Sequence, residues 1–180
     1  MLMCIVWQES EIKLVWLRYK YNMNIRNSIK RDLDDICNLS DQINNFHYQH
    51  VPGIFSKPTG SEKEREFWSE RLSQDDALFL VVEVDDRVQG YITARLTENT
   101  IIPFLIHKKV CRVGTIVVAE TVQGNGIGRA MMRKIEQWAM DNKADEIRLE
   151  VMEFNKGAHE FYDSLGFGVT SRILSKLVKK

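Results

Sequence analysis

Hydrophobic and polar residues follow two different periods along the chain, and each change of period marks a change of secondary structure. Alternation with a period of two predicts half-buried strands, whereas apolar residues spaced three and four apart predict amphipathic helices. The strand patterns cover 25–29, 78–84, 88–95, 110–119 and 146–155, with a last strand after Tyr162 that is rich in Val169, Ile173, Leu174, Leu177 and Val178. The helical patterns cover 32–45, a segment that begins with the capping box at 61–64, and 127–139.

This order of elements predicts a mixed α/β fold. The sheet is expected to be central, twisted and mostly antiparallel, with helices on both of its faces. Asp85-Asp86-Arg87 supplies the turn of a hairpin between two of the strands. The strands at 110–119 and 146–155 are joined through one helix, which makes them parallel neighbours with a right-handed crossover.

The turn that follows the strand at 110–119 contains three glycines at alternate positions, Gly124, Gly126 and Gly128. Glycine lets the backbone bend tightly and approach a ligand without interference from a Cβ atom. The N–H groups of the first turn of the next helix have no intrahelical partner, and the helix dipole adds partial positive charge there. The turn is therefore predicted to bind a diphosphate. A purely structural glycine turn is the alternative.

The spacing of the glycines excludes two common phosphate-binding motifs. A P-loop requires Lys and then Ser or Thr after its glycines, and neither pair follows here. The dinucleotide fingerprint fails because Arg129 stands where its last glycine would be. The pattern that fits is Gln123-x-x-Gly126-x-Gly128, which resembles the acyl-coenzyme A loop of the Gcn5-related N-acetyltransferase (GNAT) superfamily.

A second segment resembles the same family. The family's strand–Asn–helix signature has Leu-x-Val, Asn, Ala, Phe-Tyr and Gly-Phe in this order. The matching residues here are Leu149, Val151, Asn155, Ala158, Phe161, Tyr162, Gly166 and Phe167. The segment from Met23 to Ile36 also looks like the family's first strand and first helix. On these motifs the chain is identified as a member of the GNAT superfamily from Met23 to its C-terminus.

The resemblance implies a splayed pair of parallel strands that admits the pantetheine arm of acetyl-CoA. It assigns coenzyme contacts to Ile116, Val117, Val118, Gln123, Gly124, Asn125, Gly126, Ile127, Gly128, Arg129, Asn155 and Tyr162. The strand residues would hold pantetheine with their backbone, and the turn would hold the diphosphate. Tyr162 matches the tyrosine that acts as a general acid towards the coenzyme sulfur. The alternative is that Tyr162 is an aromatic residue of the core. Asn155 would reach the pantetheine and is also compatible with a helix cap.

The general base is not identified by the sequence. Many members of the resembled family place an acidic residue around the positions of Gly114 or Thr115, but the segment 110–119 contains no Asp or Glu. The candidates are Glu120, Glu150, Glu153 and His107, and deprotonation through a chain of water molecules is equally open. The acceptor pocket would be built by 46–57, by 99–109 and by the C-terminal strand, for a small-molecule or peptide amine.

Composition and charge limit the partners further. Lys plus Arg and Asp plus Glu number 25 each, so neither a nucleic acid nor a membrane is predicted as a partner. Cys4, Cys37 and Cys111 are scattered without a CxxC spacing, which argues against a disulfide framework and favours a reducing, cytoplasmic compartment. His47 and His50 lack accompanying Cys or carboxylate groups, so no metal site is expected. A homodimer is an open alternative to a monomer.

Residues 1–22 precede the family-like pattern. The apolar stretch at 1–7 is too short to span a bilayer, and it lacks the basic region and cleavage site of a signal peptide. Residues 1–22 are expected to be an N-terminal extension, and an added element that packs on the domain or on a partner subunit is the alternative. Residues 23–180 are expected to form a single GNAT-like domain.

The predicted function is transfer of an acetyl group from acetyl-CoA to a primary amine, by direct attack in a ternary complex and without a metal. Two alternatives belong to other classes of protein. One is an acyl-CoA-binding sensor or accessory module without turnover. The other is an unrelated α/β enzyme that holds a different nucleotide on its glycine turn.

Overall fold

The computed structural model of the chain describes residues 23–74, 77–98 and 101–178. These residues form two compact units, one that ends at Glu150 and one that begins at Val151. The single domain expected over 23–180 stays a prediction, and the extension at 1–22 lies outside the described residues.

The first unit holds one five-stranded sheet and three α-helices. Its elements are β1 (Asn24–Asn27), α1 (Leu33–His50), α2 (Glu62–Leu72), β2 (Ala77–Val84), β3 (Arg87–Glu98), β4 (Lys109–Val118), α3 (Ile127–Asp141) and β5 (Glu146–Arg148). The strands lie in the order β1-β2-β3-β4-β5. Every neighbouring pair is antiparallel except β4 and β5, which are parallel. The predicted mixed, mostly antiparallel sheet and its parallel pair are confirmed.

Local sequence signals explain where several of these elements begin and end. Ser61 caps α2, since its Oγ accepts the N–H of Glu64 while the Glu64 carboxylate accepts the N–H of Ser61. Asp85 and Asp86 adopt the left-handed conformation, with φ of 50° and 64°, which suits a tight hairpin between β2 and β3. The helix α1 continues past the predicted end to His50, because no residue disfavours a helix before Pro52.

An aromatic cluster covers the face of the sheet that carries α1 and α2. The rings of Trp68, Phe79 and Tyr91 contact one another, with centroids 5.2 to 6.0 Å apart. The indole N–H of Trp68 donates to Ser40 Oγ at 3.0 Å, so this buried donor is satisfied. Helix α1 adds the buried side chains Leu33, Ile36 and Leu39 to the same cluster.

The opposite face of the sheet carries α3. Successive side chains of a strand point to opposite faces, so Leu80, Val82 and Ile92 face away from the aromatic cluster, and all are buried. Helix α3 contacts β2, β3 and β4 and buries Met131 and Ile135 completely. The predicted helices on both faces are therefore confirmed. Among the described residues, no helix combines the length and the apolar content that crossing a membrane requires.

The described residues of the second unit contain one helix, α4 (Lys156–Asp163). Two strand predictions differ from the structure: one strand is shorter than predicted, and the other does not form. The strand predicted at 146–155 ends at Arg148. The predicted C-terminal strand does not form in the described residues: 167–178 has neither strand nor helix, and Val169, Ile173, Leu174, Leu177 and Val178 are exposed. Apolar and β-branched residues favour a strand only where a neighbouring strand supplies hydrogen bonds and burial.

A charge network joins the start of α1 to the edge of the sheet. The carboxylate of Asp32, only 3% exposed, accepts two hydrogen bonds from Arg26 at 2.7 and 2.9 Å and one from the N–H of Ile29 at 2.8 Å. Arg26 also pairs with Glu83 of β2. Burial alone would raise the pKa of Asp32, but the hydrogen bonds from Arg26 and Ile29 outweigh burial and hold this pKa below its ordinary value.

We predict that Asp32→Asn lowers the free energy of unfolding by about 2–3 kcal/mol near pH 7, because it leaves the Arg26 guanidinium short of a partly buried counter-charge. The folded-state pKa of Asp32 is depressed, so its contribution to stability is present above the ordinary Asp pKa of about 3.9 and is lost as the pH falls below it. Urea denaturation between pH 2 and 7 measures both effects. The variant should lose less stability than the wild type between about pH 4 and 2.

Asp34→Asn is the matched control. Asp34 also pairs with an arginine, Arg65, but its side chain is 74% exposed. Water and salt screen exposed ion pairs, so this variant should stay close to the wild type in stability. Equal losses in the two variants would contradict the role given to Asp32.

Candidate functional site

The glycine turn between β4 and α3 has the backbone geometry of an anion site. Gly124 and Gly126 have φ of 76° and 77°, a left-handed conformation that glycine adopts without steric cost. Gly126 is the N-cap of α3 and, as a glycine, has no side chain that could accept a capping hydrogen bond. The first helical hydrogen bond is donated by Ala130 to Gly126 O at 3.0 Å, so the N–H groups of Ile127 and Gly128 have no acceptor inside the helix.

The electrostatics of this helix end also suit an anion. The first turn of α3 contains no acidic side chain. The helix dipole therefore presents its partial positive charge to whatever approaches the turn. Backbone N–H groups and a dipole together form the usual cradle for a phosphate.

Two polar side chains of the turn brace its backbone. Gln123 Nε2 donates to Val118 O at 2.9 Å and so ties the turn to the last residue of β4. Asn125 Nδ2 donates to Val122 O and Gln123 O at 3.2 and 3.4 Å. Sequence reasoning assigned both residues to the coenzyme and missed this bracing. Their contact with a coenzyme stays a prediction.

Among the described residues, the second half of β4 has no strand paired to its outer edge. The β4–β5 ladder consists of three pairs and ends at Arg112 with Arg148. Beyond Arg112, residues 113–118 have no β5 partner among the described residues. The ladder thus ends before β4 does, and the splay that the resemblance implied stays a prediction.

Ile116, Val117 and Val118 were predicted to hold pantetheine with their backbone groups, but these groups do not all point to the same side of β4. Ala119 N–H donates to Gln89 O at 2.8 Å, towards β3. Because backbone groups alternate along a strand, Val117 also faces β3, whereas Ile116 and Val118 face the open edge. The carbonyl of Val118 already accepts the Gln123 amide. The N–H and C=O of Ile116 and the N–H of Val118 are therefore the backbone groups best placed to hold a ligand along this edge.

A β-bulge interrupts β4 at Gly114. Thr93 pairs with Thr115 and Ala94 with Val113, so Gly114 is the extra residue. The N–H of Thr115 donates to Thr93 Oγ1 at 3.0 Å. A Cβ atom on Gly114 would lie 2.9 Å from that oxygen. Sequence reasoning missed the bulge, although a single glycine inside a strand pattern was its signal.

In the second unit, Asn155 is the N-cap of α4. Its Oδ1 accepts the N–H of Ala158 at 3.1 Å, so the reading of this residue as a helix cap is confirmed. The carboxamide nitrogen of Asn155 makes no hydrogen bond to the described residues. A cap and a ligand contact are therefore compatible in the same side chain.

Tyr162 lies on α4 and is 8% exposed. Its ring centroid lies 5.1 Å from that of Phe161 and 5.7 Å from that of Phe167, so the residue is part of an aromatic cluster. Burial raises the pKa of Tyr162 to about 12. The phenol therefore keeps its proton throughout the physiological range, as a proton or hydrogen-bond donor must.

The four candidates for the general base are all exposed. Glu150 and Glu153 are 73% and 74% exposed and lie 3.5 and 3.7 Å from Arg112 and Lys156. His107 lies in the irregular segment before β4. Burial therefore does not favour Glu150, Glu153 or His107 as the general base.

Glu120 lies in a short 3₁₀ turn after β4 and lines a cavity of about 320 Å³ together with Asp35 and Arg87. Glu120 lies five positions after Thr115, beyond the end of β4, so it is not on the strand itself.

The end of α1 and the loop after it form an aromatic surface. The His47 and Phe55 rings stack with centroids 4.6 Å apart, and the Phe46 ring lies 4.6 Å from that of His50. Burial and the neighbouring His50 lower the pKa of His47, which favours its neutral form. Within the described ranges there is no group of three or more His, Cys, Asp or Glu side chains that would hold a metal ion.

Comparison with known proteins gives a family match and curated relatives. The model of the acetyltransferase (GNAT) family matches residues 42–167. An uncharacterized N-acetyltransferase of Methanocaldococcus jannaschii is 30% identical over 145 residues, which are 79% of this chain and 59% of that protein. An N-alpha-acetyltransferase of Sulfurisphaera tokodaii is 34% identical over 106 residues, which are 56% of this chain and 62% of that protein. The chain thus spans about three-fifths of the length of these relatives.

Solved structures are similar in fold. A mutant of the BH1408 protein of Bacillus halodurans has a TM-score of 0.80 at 23% identity, with 87% of this chain and 99% of that chain covered. The aminoglycoside N-acetyltransferase AAC(6')-Iy, in complex with CoA, has a TM-score of 0.69 at 17% identity, with 89% and 97% covered. At these identities the likeness shows the fold alone.

We predict that Gly114→Ala lowers the free energy of unfolding by about 1–3 kcal/mol, because its Cβ would press on Thr93 Oγ1. In a Thr93→Ala background the same change should cost clearly less, since the oxygen is gone. Urea denaturation of both single variants and the double variant measures the coupling between the two sites. Additive losses would contradict the close contact at the bulge.

Proposed function

Because this chain belongs to the acetyltransferase (GNAT) family, we propose that it transfers an acetyl group from acetyl-CoA to a primary amine of a small-molecule or peptide acceptor. The observation that carries the proposal is the glycine N-cap and glycine-lined N-terminus of α3, which follows a strand whose second half has no β5 partner among the described residues. The first feature suits a diphosphate and the second suits an extended arm that carries amide groups. Acetyl-CoA contains both.

The proposed contacts follow the backbone. The N–H groups from Gly124 to Arg129 would take the diphosphate, with the helix dipole contributing about 0.3–1 kcal/mol. The backbone groups of Ile116 and the N–H of Val118 would form hydrogen bonds with the pantetheine amides, as they would with the backbone of a neighbouring strand. In the second unit, the carboxamide nitrogen of Asn155 would donate to the pantetheine while its oxygen caps α4.

In the proposed reaction the neutral amine attacks the thioester carbonyl and forms a tetrahedral oxyanion. Collapse of this intermediate breaks the carbon–sulfur bond and releases the coenzyme thiolate, and the ammonium proton is lost to solvent or to a base. Holding both reactants in line can lower the barrier by about 7–11 kcal/mol. Tyr162 would donate a hydrogen bond, or its proton, to the departing sulfur.

The acceptor class stays open within this proposal. Relatives and structural neighbours include an N-alpha-acetyltransferase and an aminoglycoside N-acetyltransferase. The aromatic surface formed by Phe46, His47 and Phe55 would supply one wall of the acceptor site. Since the lowered pKa of His47 favours its neutral form, this ring would not repel an ammonium group.

One observation favours a second function, binding of acyl-CoA without turnover. The segment 110–119 contains no Asp or Glu, and all four candidate bases are exposed. A sensor or accessory module would bind acetyl-CoA and be stabilised by it, but would acetylate no amine.

We predict that acetyl-CoA raises the Tm of the wild-type chain, and that a panel of primary amines includes one that makes it release free CoA. A ligand bound only to the folded state at 100 times its Kd stabilises that state by about 2.7 kcal/mol. Gly126→Val should abolish both signals, because a branched Cβ would stand where the backbone meets the diphosphate. Thermal unfolding and a thiol assay measure them.

Gly60→Val is the matched control for this variant. Gly60 has φ of 61° and no atom near its Cβ position, so the change carries a similar backbone strain of about 1–3 kcal/mol without touching the proposed site. It should keep the full response to acetyl-CoA. An undiminished response in Gly126→Val would refute the placement of the diphosphate, and a response without any CoA release would favour the binding module.

We predict that Tyr162→Phe lowers kcat about 100-fold and leaves the affinity for acetyl-CoA within about twofold. General acid assistance contributes about 100- to 10,000-fold. The low end is expected because a phenol with a pKa of about 12 is a weaker acid than a thiol, whose pKa is about 8.5. The loss should be the same from about pH 6 to 9, where the phenol stays protonated. Steady-state kinetics on the best acceptor measure it.

Tyr91→Phe is the control for Tyr162→Phe. Tyr91 is also buried, and its ring packs in the core of the first unit against Trp68 and Phe79. Removal of its hydroxyl should leave kcat unchanged. If kcat is unchanged in Tyr162→Phe as well, Tyr162 is a packing residue and has no part in catalysis.

A further inference from the structure

His159 of α4 carries a buried polar atom that the fold leaves unsatisfied. Its Nε2 is buried and makes no hydrogen bond to any described residue. Buried nitrogen and oxygen atoms nearly always have a partner, and an orphan calls for a specific explanation. An apolar side chain at this position would avoid the free-energy cost of burying a polar atom without a hydrogen bond.

The helix places His159 on one stripe with two other polar side chains. The N–H of His159 donates to Asn155 O at 3.1 Å, which fixes the i to i+4 relation between these residues. Tyr162 follows His159 at i+3. Residues three and four apart are neighbours on a helix surface. At 1.5 Å rise per residue, His159 lies about 6 Å along the axis from Asn155 and about 4.5 Å from Tyr162.

The two flanking residues are the ones proposed to meet the coenzyme. Asn155 would donate to the pantetheine arm, and Tyr162 would donate to the sulfur at its end. Along that arm, the amide nearest the sulfur is separated from it by three single bonds, at most about 4 Å. This distance matches the axial step from Tyr162 to His159.

We propose that His159 Nε2 forms a hydrogen bond with the pantetheine amide nearest the sulfur, and so positions the thioester beside Tyr162. The inference rests on the proposed function, since it takes acetyl-CoA as the ligand. A neutral imidazole offers one donor and one acceptor, and an amide offers both partners. The orphan nitrogen is thus satisfied in the bound state, and His159 is a positioning residue.

His159→Leu and His159→Gln form the test. Leucine removes the nitrogen but fills much of the space, whereas the glutamine carboxamide keeps a polar atom near the position of Nε2. Leucine should raise the Kd for acetyl-CoA about 3- to 10-fold, the value of one neutral hydrogen bond. The unliganded leucine variant should be at least as stable as the wild type, because the orphan is gone. Glutamine should keep the Kd within about twofold.

ADP is the probe that separates this contact from a general disturbance, since it carries the diphosphate but no pantetheine arm. The Kd for ADP should be the same in the wild type and in His159→Leu, and Gly126→Val should abolish ADP binding. Isothermal titration with acetyl-CoA and ADP, and urea denaturation without ligand, provide the readouts.

Each other result decides against the assignment. An unchanged Kd for acetyl-CoA in His159→Leu, with a less stable unliganded protein, would make His159 a packing residue. An equal loss for ADP and acetyl-CoA would place its effect outside the pantetheine arm. A wild-type chain that binds no acetyl-CoA would overturn the proposed function as well, whereas normal wild-type binding with no effect of leucine would overturn only this inference.

Discussion

The early end of the ladder between β4 and β5 is the constraint on which the proposed site depends. Backbone N–H and C=O groups must find partners, and a strand that loses its neighbour leaves a row of them open. Here the ladder stops at Arg112, while β4 continues to Val118. The bulge at Gly114 lies at the start of this open stretch and the glycine turn lies at its end. A ligand with amide groups and a diphosphate can use both the edge and the turn.

Several residues of the candidate site serve the fold and leave a group available for a ligand. Gln123 occupies the carbonyl of Val118 but leaves the N–H of that residue on the open edge. Asn155 uses its oxygen as a cap and keeps its amide nitrogen. Tyr162 is buried in an aromatic cluster, and the same burial raises its pKa and keeps its proton in place. A single residue can therefore stabilise the fold and also contribute a group to the proposed site.

Features written in a few consecutive residues could be predicted from the sequence. The capping box at Ser61, the hairpin turn at Asp85-Asp86 and the glycine turn before α3 each depend on local backbone geometry, and all three are found. Features that depend on a distant partner could not. The early end of β5, the irregular segment 167–178 and the bulge opposite Thr93 are decided by which strands meet, and the apolar pattern does not encode this.

The exposed candidate bases bear on which amines the proposed enzyme would accept. Only a neutral amine can attack, and without a buried base the neutral fraction is set by the acceptor itself. At pH 7.5 a lysine side chain with pKa of about 10.4 is roughly 0.1% neutral, whereas an α-amino group with pKa of about 7.8 is roughly one-third neutral. This ratio of about 250 is equivalent to about 3 kcal/mol at 25 °C. Under the proposed function we therefore expect α-amino groups and other weakly basic amines to exceed lysine-like amines in the amine panel, and the opposite ranking would imply a base supplied by this chain.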